Sequence, residues 1–333
     1  MNIVEFAKSL GLSIGTVSRA LNDRPEVSPV TRKMVLMRAE EMGFVRNANA
    51  RRLVTGQNLM IRLECPYNTH ILSDRYLVEM ARAIEESAVT HGYDLLLHLG
   101  TRQRDTASEI ESIDGLVVIA APDTSVADIQ KLSHNGHTPT VVITGSNPLD
   151  YPLVSYVCLD TLPGIRAAIS RLAELGHRRV GYIGSDHYST SLRRALPGLM
   201  TEVGLTWNPD MAIDAGIAQE DGYNAARTLL TLPVRPTALF ARTDILASGA
   251  IQAAHSLGMF VPGDVSIIGH DNIEVAALVS PPMTTVAINI PEMAAIAVRL
   301  LVSQMVDKSD PGVEHLGTHL VIRKSCGPVP ADA

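Results

Sequence analysis

One joint recurs in this 333-residue chain and limits its fold more than any other feature. A helical segment ends at a glycine and gives way to a short apolar run. The joint stands at His91-Gly92-Tyr93, Leu175-Gly176-His177 and Leu257-Gly258-Met259. Glycine just past a helix supplies the left-handed conformation that ends it. Apolar runs predict strands over 60–64, 93–99, 116–120, 140–144, 180–183, 238–241 and 265–269. Helical spacing predicts 76–91, 126–132, 165–175, 195–203, 222–231 and 245–257 between them. Leu77, Met80, Ala81, Ile84 and Ala88 form the apolar face of the first of these helices. Strands alternating with helices in two successive sets require two parallel-sheet halves.

The first sixty residues follow a different pattern. Ile3, Phe6, Ala7 and Leu10 have helical spacing, and Asn2 with Glu5 has that of a capping box. Gly11 allows a sharp turn. A second helix follows over 13–22, with Ser13 as N-cap and Val17, Ala20 and Leu21 as its apolar stripe. Ser13, Ile14, Gly15, Thr16, Ser18, Arg19 and Asn22 are left for its outer faces. Two short helices on a glycine turn make a helix-turn-helix, whose second helix reads the major groove. By pattern alone, a short helical hairpin in a structural bundle is the commoner explanation. Ser28-Pro29 opens a third helix that Gly43 ends, with Val30, Met34 and Met37 predicted to face the first two. Thr31, Arg32 and Lys33 near its start suit phosphate contacts or a solvated face.

Charge divides the chain in the same place. Residues 1–57 hold nine Lys/Arg against five acids, a charge of +4. The remainder holds 19 against 30, so the total of −7 is a basic head on an acidic body. That asymmetry suits a nucleic-acid module joined to something else. The three cysteines are scattered without metal-ligand spacing. No metal or cofactor is expected. The opening residues lack a secretory pattern and no apolar run reaches membrane length, so a cytoplasmic protein without a membrane partner is expected.

Asn2-Ile3-Val4-Glu5-Phe6-Ala7, Gly11-Leu12-Ser13 and Thr16-Val17-Ser18-Arg19-Ala20-Leu21-Asn22 together resemble the signature of the LacI/GalR family of bacterial ligand-responsive regulators. The resemblance returns at Leu175-Gly176-His177, at Thr243-Asp244 where many members have Asn-Asp, and at Gly269-His270-Asp271-Asn272 with Pro281-Pro282-Met283-Thr284-Thr285. It implies an α/β chain in which an N-terminal helix-turn-helix domain (1–45) joins a two-lobed body (58–333) through a hinge helix (46–57). The body would have the fold of type I periplasmic binding proteins, with crossover strands between its lobes. Lobe 1 would take about 58–158 plus 287–314, and lobe 2 about 159–286 plus 315–333. The hinge stretch also reads as a plain linker. Under the resemblance, Asn47, Ala50, Arg51 and Leu53 would contact DNA, with Leu53 as a minor-groove wedge. The partners implied are operator DNA, a small-molecule effector and a second copy of the chain.

Open α/β sheets bind ligands beyond the carboxyl ends of their strands. Strand-end candidates include Tyr67 and Tyr76 in the first half, and Arg242, Thr243, Asp244, His270, Asp271 and Asn272 in the second. The resemblance selects Arg193 and Asp271 as effector contacts, with Thr243, Asp244, Tyr67 and Tyr76 beside them. Plainer roles are open to them: Arg193 as a surface base, Asp244 as a helix cap and Asp271 as a loop cap. His177 reads as structural. A carboxylate with a guanidinium suits a polyol, and aromatics are only 4% of the chain, so a carbohydrate effector is expected over a nucleobase. A link over 100–115 shorter than the family's usual helix bears on one wall of the cleft. An α/β enzyme is the competing class, but no nucleophile elbow, Walker loop, zinc-protease helix or dinucleotide fingerprint is present. A periplasmic transport protein would share the body but have no use for the basic head.

Overall fold

The computed structural model describes residues 3–21, 26–42, 58–66, 74–98, 113–121, 123–145, 147–184 and 186–330, the last including 186–191 as backbone. The chain divides into two compact units, 1–59 and 60–333.

The N-terminal unit has three helices: α1 (Ile3–Ser9), α2 (Ile14–Leu21) and α3 (Pro29–Glu41). Phe6, Ala7, Val17, Ala20, Leu21, Val27 and Val35 form its core. Ser28 caps α3 by accepting the Thr31 N–H at 3.1 Å. The buried face of α3 differs from the expected one. Val30 is 80% exposed and Met37 50%, whereas Val35 is fully buried and Ala39 packs beside it. Both faces carry apolar residues at helical spacing. Val27 enters the core just before the cap and turns the Val35 side inward.

The body holds two six-stranded sheets. Its elements in order are β1 (Met60–Glu64), α4 (Arg75–Thr90), β2 (Asp94–His98), β3 (Gly115–Ile119), α5 (Val126–Leu132), β4 (Thr140–Thr144), β5 (Ser155–Asp160), α6 (Leu162–Glu174), β6 (Val180–Gly184) and α7 (Asp186–Glu202). They continue with β7 (Ala212–Asp214), α8 (Gln219–Leu230), β8 (Ala238–Ala241), α9 (Asp244–Ser256), β9 (Ser266–Asp271), α10 (Val275–Leu278), β10 (Thr284–Ala287), α11 (Ile290–Val306), β11 (Val313–Gly317) and β12 (His319–Val321). The first sheet has the order β11-β5-β4-β3-β1-β2 and is parallel throughout. The second has the order β12-β10-β9-β8-β6-β7, with β12 antiparallel to β10. β5 has no counterpart among the predicted strands. In α4 the buried small residue is Ala83, and Ala81 is only partly covered.

The chain crosses between the sheets three times, after β5, after β10 and after β11. Thr318, at the third crossing, binds the first: its hydroxyl accepts the Gly164 N–H at 3.1 Å and lies 3.0 Å from the Thr161 carbonyl. Gly164 must be a glycine, because a Cβ there would meet Val286 and Thr318. These ties hold the two lobes on one base.

Glycine also sets the approach of α8 to α9. A methyl on Gly222 would run into the Leu246 backbone, and one on Gly249 into the Gln219 carbonyl. Gly198 in α7 has open space around it. Gly222→Ala is therefore expected to lower unfolding free energy by about 1–3 kcal/mol. Gly198→Ala is expected to raise it by about 0.5–1 kcal/mol through helix propensity alone. Urea titrations of the two variants check both signs.

His177 is structural. Its Nδ1 is 2.9 Å from the Thr237 hydroxyl, and its Nε2 lies 3.1 Å from the Ser266 hydroxyl and 3.0 Å from the Gly327 carbonyl. Burial holds its pKa below 6.5. The unfolded chain then binds a proton that the fold refuses, so this contribution is whole above pH 6.5 and is lost as pH falls below it. Comparing wild type with His177→Gln between pH 7.5 and 5 should show the wild type's advantage shrinking toward acid. A constant difference would contradict this.

Candidate functional site

In the N-terminal unit, α2 turns Val17, Ala20 and Leu21 inward. Ser13, Ile14, Gly15 and Arg19 are exposed, and Thr16 and Ser18 partly so. Ser13 Oγ accepts the Thr16 N–H at 3.1 Å and shares a hydrogen bond with the Thr16 hydroxyl at 2.8 Å, which fixes the helix start. Arg19 Nε donates to the Gly15 carbonyl at 3.1 Å. The guanidinium thus lies back toward the helix N-terminus, over a glycine whose Cβ would stand 3.3 Å from its Nη2. Ser13, Ile14, Gly15, Thr16, Ser18 and Arg19 fall on one solvent-facing end. Asn22, Asn47, Ala50, Arg51, Leu53 and Tyr67 lie outside the described residues, as does Gly43.

In the body, the N-terminal end of α4 faces the carboxyl ends of β8 and β9. Asp74 caps α4, accepting the N–H groups of Tyr76 at 3.0 Å and Leu77 at 3.3 Å. Glu79 reaches the other lobe, where its Oε1 accepts the Glu274 N–H at 2.9 Å. Tyr76 is pushed above the usual phenol range, first by burial and then by the Asp271 carboxylate, while Arg242 opposes the shift. Residues of opposite lobes therefore share one electrostatic environment.

Asp271 is the centre of that environment. It ends β9 with φ +109°, and Asn272 follows at +60°. Two non-glycine residues in succession at positive φ are costly and need support. Asp244 supplies part of it. Its Oδ2 accepts the Ile273 N–H at 2.9 Å, and its Oδ1 accepts the Thr285 hydroxyl at 2.5 Å. Arg323 supplies the rest, donating to Asn272 Oδ1 at 2.7 Å and to the Met283 carbonyl at 2.8 Å. Burial pushes the Asp271 carboxyl up to about 8; Arg242 pulls it down, and Asp74 and Glu79 push it up. His270, fully buried, is held well below its usual range by burial and then by Arg242.

These observations correct one expected contact. Asp244 is fully buried with both oxygens engaged inside its own lobe, and burial holds its carboxyl well above the usual range. It positions Asp271 and offers nothing to a ligand. Thr243 is the N-cap of α9, its hydroxyl accepting the Leu246 N–H at 3.2 Å. Arg193 sits on α7, partly exposed. The guanidinium seen beside Asp271 belongs to Arg242, whose Nη1 is 3.8 Å from Asp271 Oδ1. Arg242, His270 and Arg323 went unselected in the sequence. The first two stand at strand ends, but no residue pattern marks them as partners. In the first lobe, burial and then Glu64 raise the Cys65 thiol to about 12, so it is no nucleophile.

Residues 2–47 match the profile of bacterial regulatory proteins of the lacI family, and residues 169–326 that of the periplasmic binding protein-like domain. The chain is 31% identical to the HTH-type transcriptional regulator AglR of Rhizobium meliloti (strain 1021) over 348 aligned residues, 99% of this chain and 95% of that one. This chain belongs to the lacI family of bacterial regulatory proteins. Among solved structures it resembles a transcriptional regulator CelR–cellobiose complex, with 25% identity and a TM-score of 0.69 over 98% of this chain and 99% of that one. It shares its fold with the lac repressor dimer bound to operator and the anti-inducer ONPF, with a TM-score of 0.79 at 22% identity over 98% of each chain. As a lacI-family member it is a DNA-binding transcriptional regulator, not an enzyme. The family profile begins and ends around the three-helix unit, so the exposed end of α2 is its DNA-reading candidate. The cleft between the lobes is its effector candidate.

Proposed function

We propose that this regulator represses transcription as a homodimer on a palindromic operator, and that a small carbohydrate bound between the lobes sets its DNA affinity. The observation that carries the reading is the convergence of Tyr76 from one lobe with Asp271 and Arg242 from the other. A phenol, a carboxylate and a guanidinium give the hydroxyls of a buried sugar both donors and acceptors, and each unpaired polar group would cost about 1–3 kcal/mol. A ligand touching both lobes biases their relative placement, and that bias is the coupling free energy available to the DNA-binding end. The CelR complex holds cellobiose, which agrees with this ligand class.

With this reading go the proposed limits of a reading head over 1–45, a hinge over 46–57 and a body from 58. Asn47, Ala50, Arg51 and Leu53 act at the hinge, with Leu53 wedged into the minor groove. Ser13, Ile14, Gly15, Thr16, Ser18, Arg19 and Asn22 act at the major groove. Arg193, Thr243, Tyr67 and Tyr76 act with Asp271 as effector contacts. A chromosomal target places the work in the cytoplasm, with no membrane involved.

The test is fluorescence anisotropy on a duplex that the protein itself selects from a random library. Affinity should fall steeply with salt, and one class of neutral sugar should shift it at least tenfold. A palindrome bound with no response to any sugar, but with a response to a nucleobase, would replace the effector assignment and keep the DNA function.

A further inference from the structure

Among the described residues of the cleft wall, Arg242 has donors to spare. Arg242 follows β8, its side chain about a quarter exposed. Gly184 at the end of β6 makes room for it, since a Cβ there would stand 2.9 Å from the Arg242 Cβ. Arg242 Nη1 lies 3.1 Å from His270 Nδ1, and that imidazole nitrogen lies 2.8 Å from Asp271 Oδ1. An imidazole nitrogen holds either one proton or one lone pair. If Nδ1 is protonated, it donates to Asp271 and cannot accept from Arg242. If it is bare, it has one lone pair, for which Arg242 and any proton on Asp271 compete. A guanidinium brings five N–H donors and keeps its charge, so it cannot resolve the conflict by losing a proton. Its Nε is also buried without a partner, as is His270 Nε2. Among the described residues, every arrangement of protons leaves Arg242 with donors that no protein acceptor takes up.

The exposed part of the guanidinium is where a bound molecule would meet it. Arg242 lies close enough to the Tyr76 phenol of the opposite lobe for its charge to act on it. An anionic group is poorly suited to meet the guanidinium, because Asp271, Asp74 and Glu79 share that environment. A hydroxyl is better suited, since it accepts from one neighbour and donates to another.

Resting on the carbohydrate reading above, we propose that Arg242 is a specificity-determining effector contact, and that Arg242 and Asp271 together read two adjacent hydroxyls of an uncharged ligand. One hydroxyl accepts from the guanidinium and the other donates to the carboxylate. A ligand with only one of them leaves either Arg242 or Asp271 unpaired in a closed cleft.

The experiment is titration calorimetry on the full chain with a panel of neutral pentoses, hexoses and disaccharides, each beside its monodeoxy derivatives. Arg242→Met should weaken the best-binding sugar at least tenfold, and Arg242→Lys should weaken it less. Against the deoxy derivative that lacks the hydroxyl accepting from Arg242, wild type and Arg242→Met should agree within twofold. Melting curves establish that the variants fold; if Arg242→Met does not, Arg242→Gln and Arg242→Lys make the same comparison. Equal losses on the parent sugar and every deoxy derivative would mean that Arg242 only shapes the wall, and would overturn the assignment. A sugar bound equally by wild type and Arg242→Met would overturn it and leave the carbohydrate reading standing. If no member of the panel binds, both fall.

Discussion

Replacing Arg19 by methionine is expected to lower affinity for the selected operator about 5- to 150-fold, the ~1–3 kcal/mol that a good base contact supplies. The side chain rests against the Gly15 carbonyl at the exposed end of α2, so it stands where a recognition helix meets base edges. Turning it outward costs one solvent-exposed hydrogen bond, which water replaces. Methionine keeps the helix propensity and the length, so the loss reports the guanidinium. The same substitution should change binding to a random duplex far less, and should leave the slope of log affinity against log salt almost unaltered. Equal losses on both duplexes, with the slope reduced by about one, would make Arg19 a phosphate contact.

Most of the architecture could be read from spacing. Helix–glycine–strand joints and apolar runs located strands on both halves, and Gly92, Gly176 and Gly258 do take positive φ. The misses have local causes. Leu162-Pro163-Gly164 looks like a turn, yet Pro163 sits in the first turn of α6, where its lost N–H is harmless. Gly164 is there for close approach to Thr318, a residue 154 positions away. The first turns of α7 are the polar run 186–194, which carries no apolar stripe to mark a helix. On α3 the two apolar faces were equally periodic, and only packing decided between them. The site divides in the same way. The strand-end rule named Tyr76, Arg242, His270 and Asp271 alike as candidates, and the resemblance singled out Asp271. The meeting of Arg242 with His270 depends on the register of β8 on β9, where Phe240 pairs with Ile268. Register is a property of the folded sheet that a single strand does not carry. Asp244 was misplaced because sequence does not say whether a carboxylate in a helix's first turn faces water or the neighbouring loop.

Effector affinity is expected to rise about 20-fold between pH 6.5 and 8.5, and Asp271→Asn should abolish the rise. The carboxyl at Asp271 is raised to about 8, first by burial and then by Asp74 and Glu79, against the pull of Arg242. At pH 6.5 the side chain is therefore almost wholly protonated, and at pH 8.5 it is mostly a carboxylate. The hydroxyl that donates to Asp271 meets an unprotonated oxygen on both sides of the carboxylate but a competing proton on the acid, so binding follows the ionised fraction. The sign for the unliganded protein is opposite. A carboxyl raised by folding favours the fold while protonated, and that contribution is whole below the usual carboxylate range and lost as pH climbs through 8. The ligand-induced rise in Tm should therefore grow with pH while the Tm contribution of Asp271 to the free protein declines. Asparagine is the right control: it tolerates positive φ as aspartate does, keeps the shape of the protonated acid and does not titrate. Calorimetric titrations of wild type and Asp271→Asn at four pH values, with the tightest-binding neutral sugar, would show a sloping line and a flat one. Two flat lines would mean that Asp271 is already ionised at pH 6.5. Two parallel slopes would assign the titration to another group in the cleft, with Asp74 and Glu79 the next to replace.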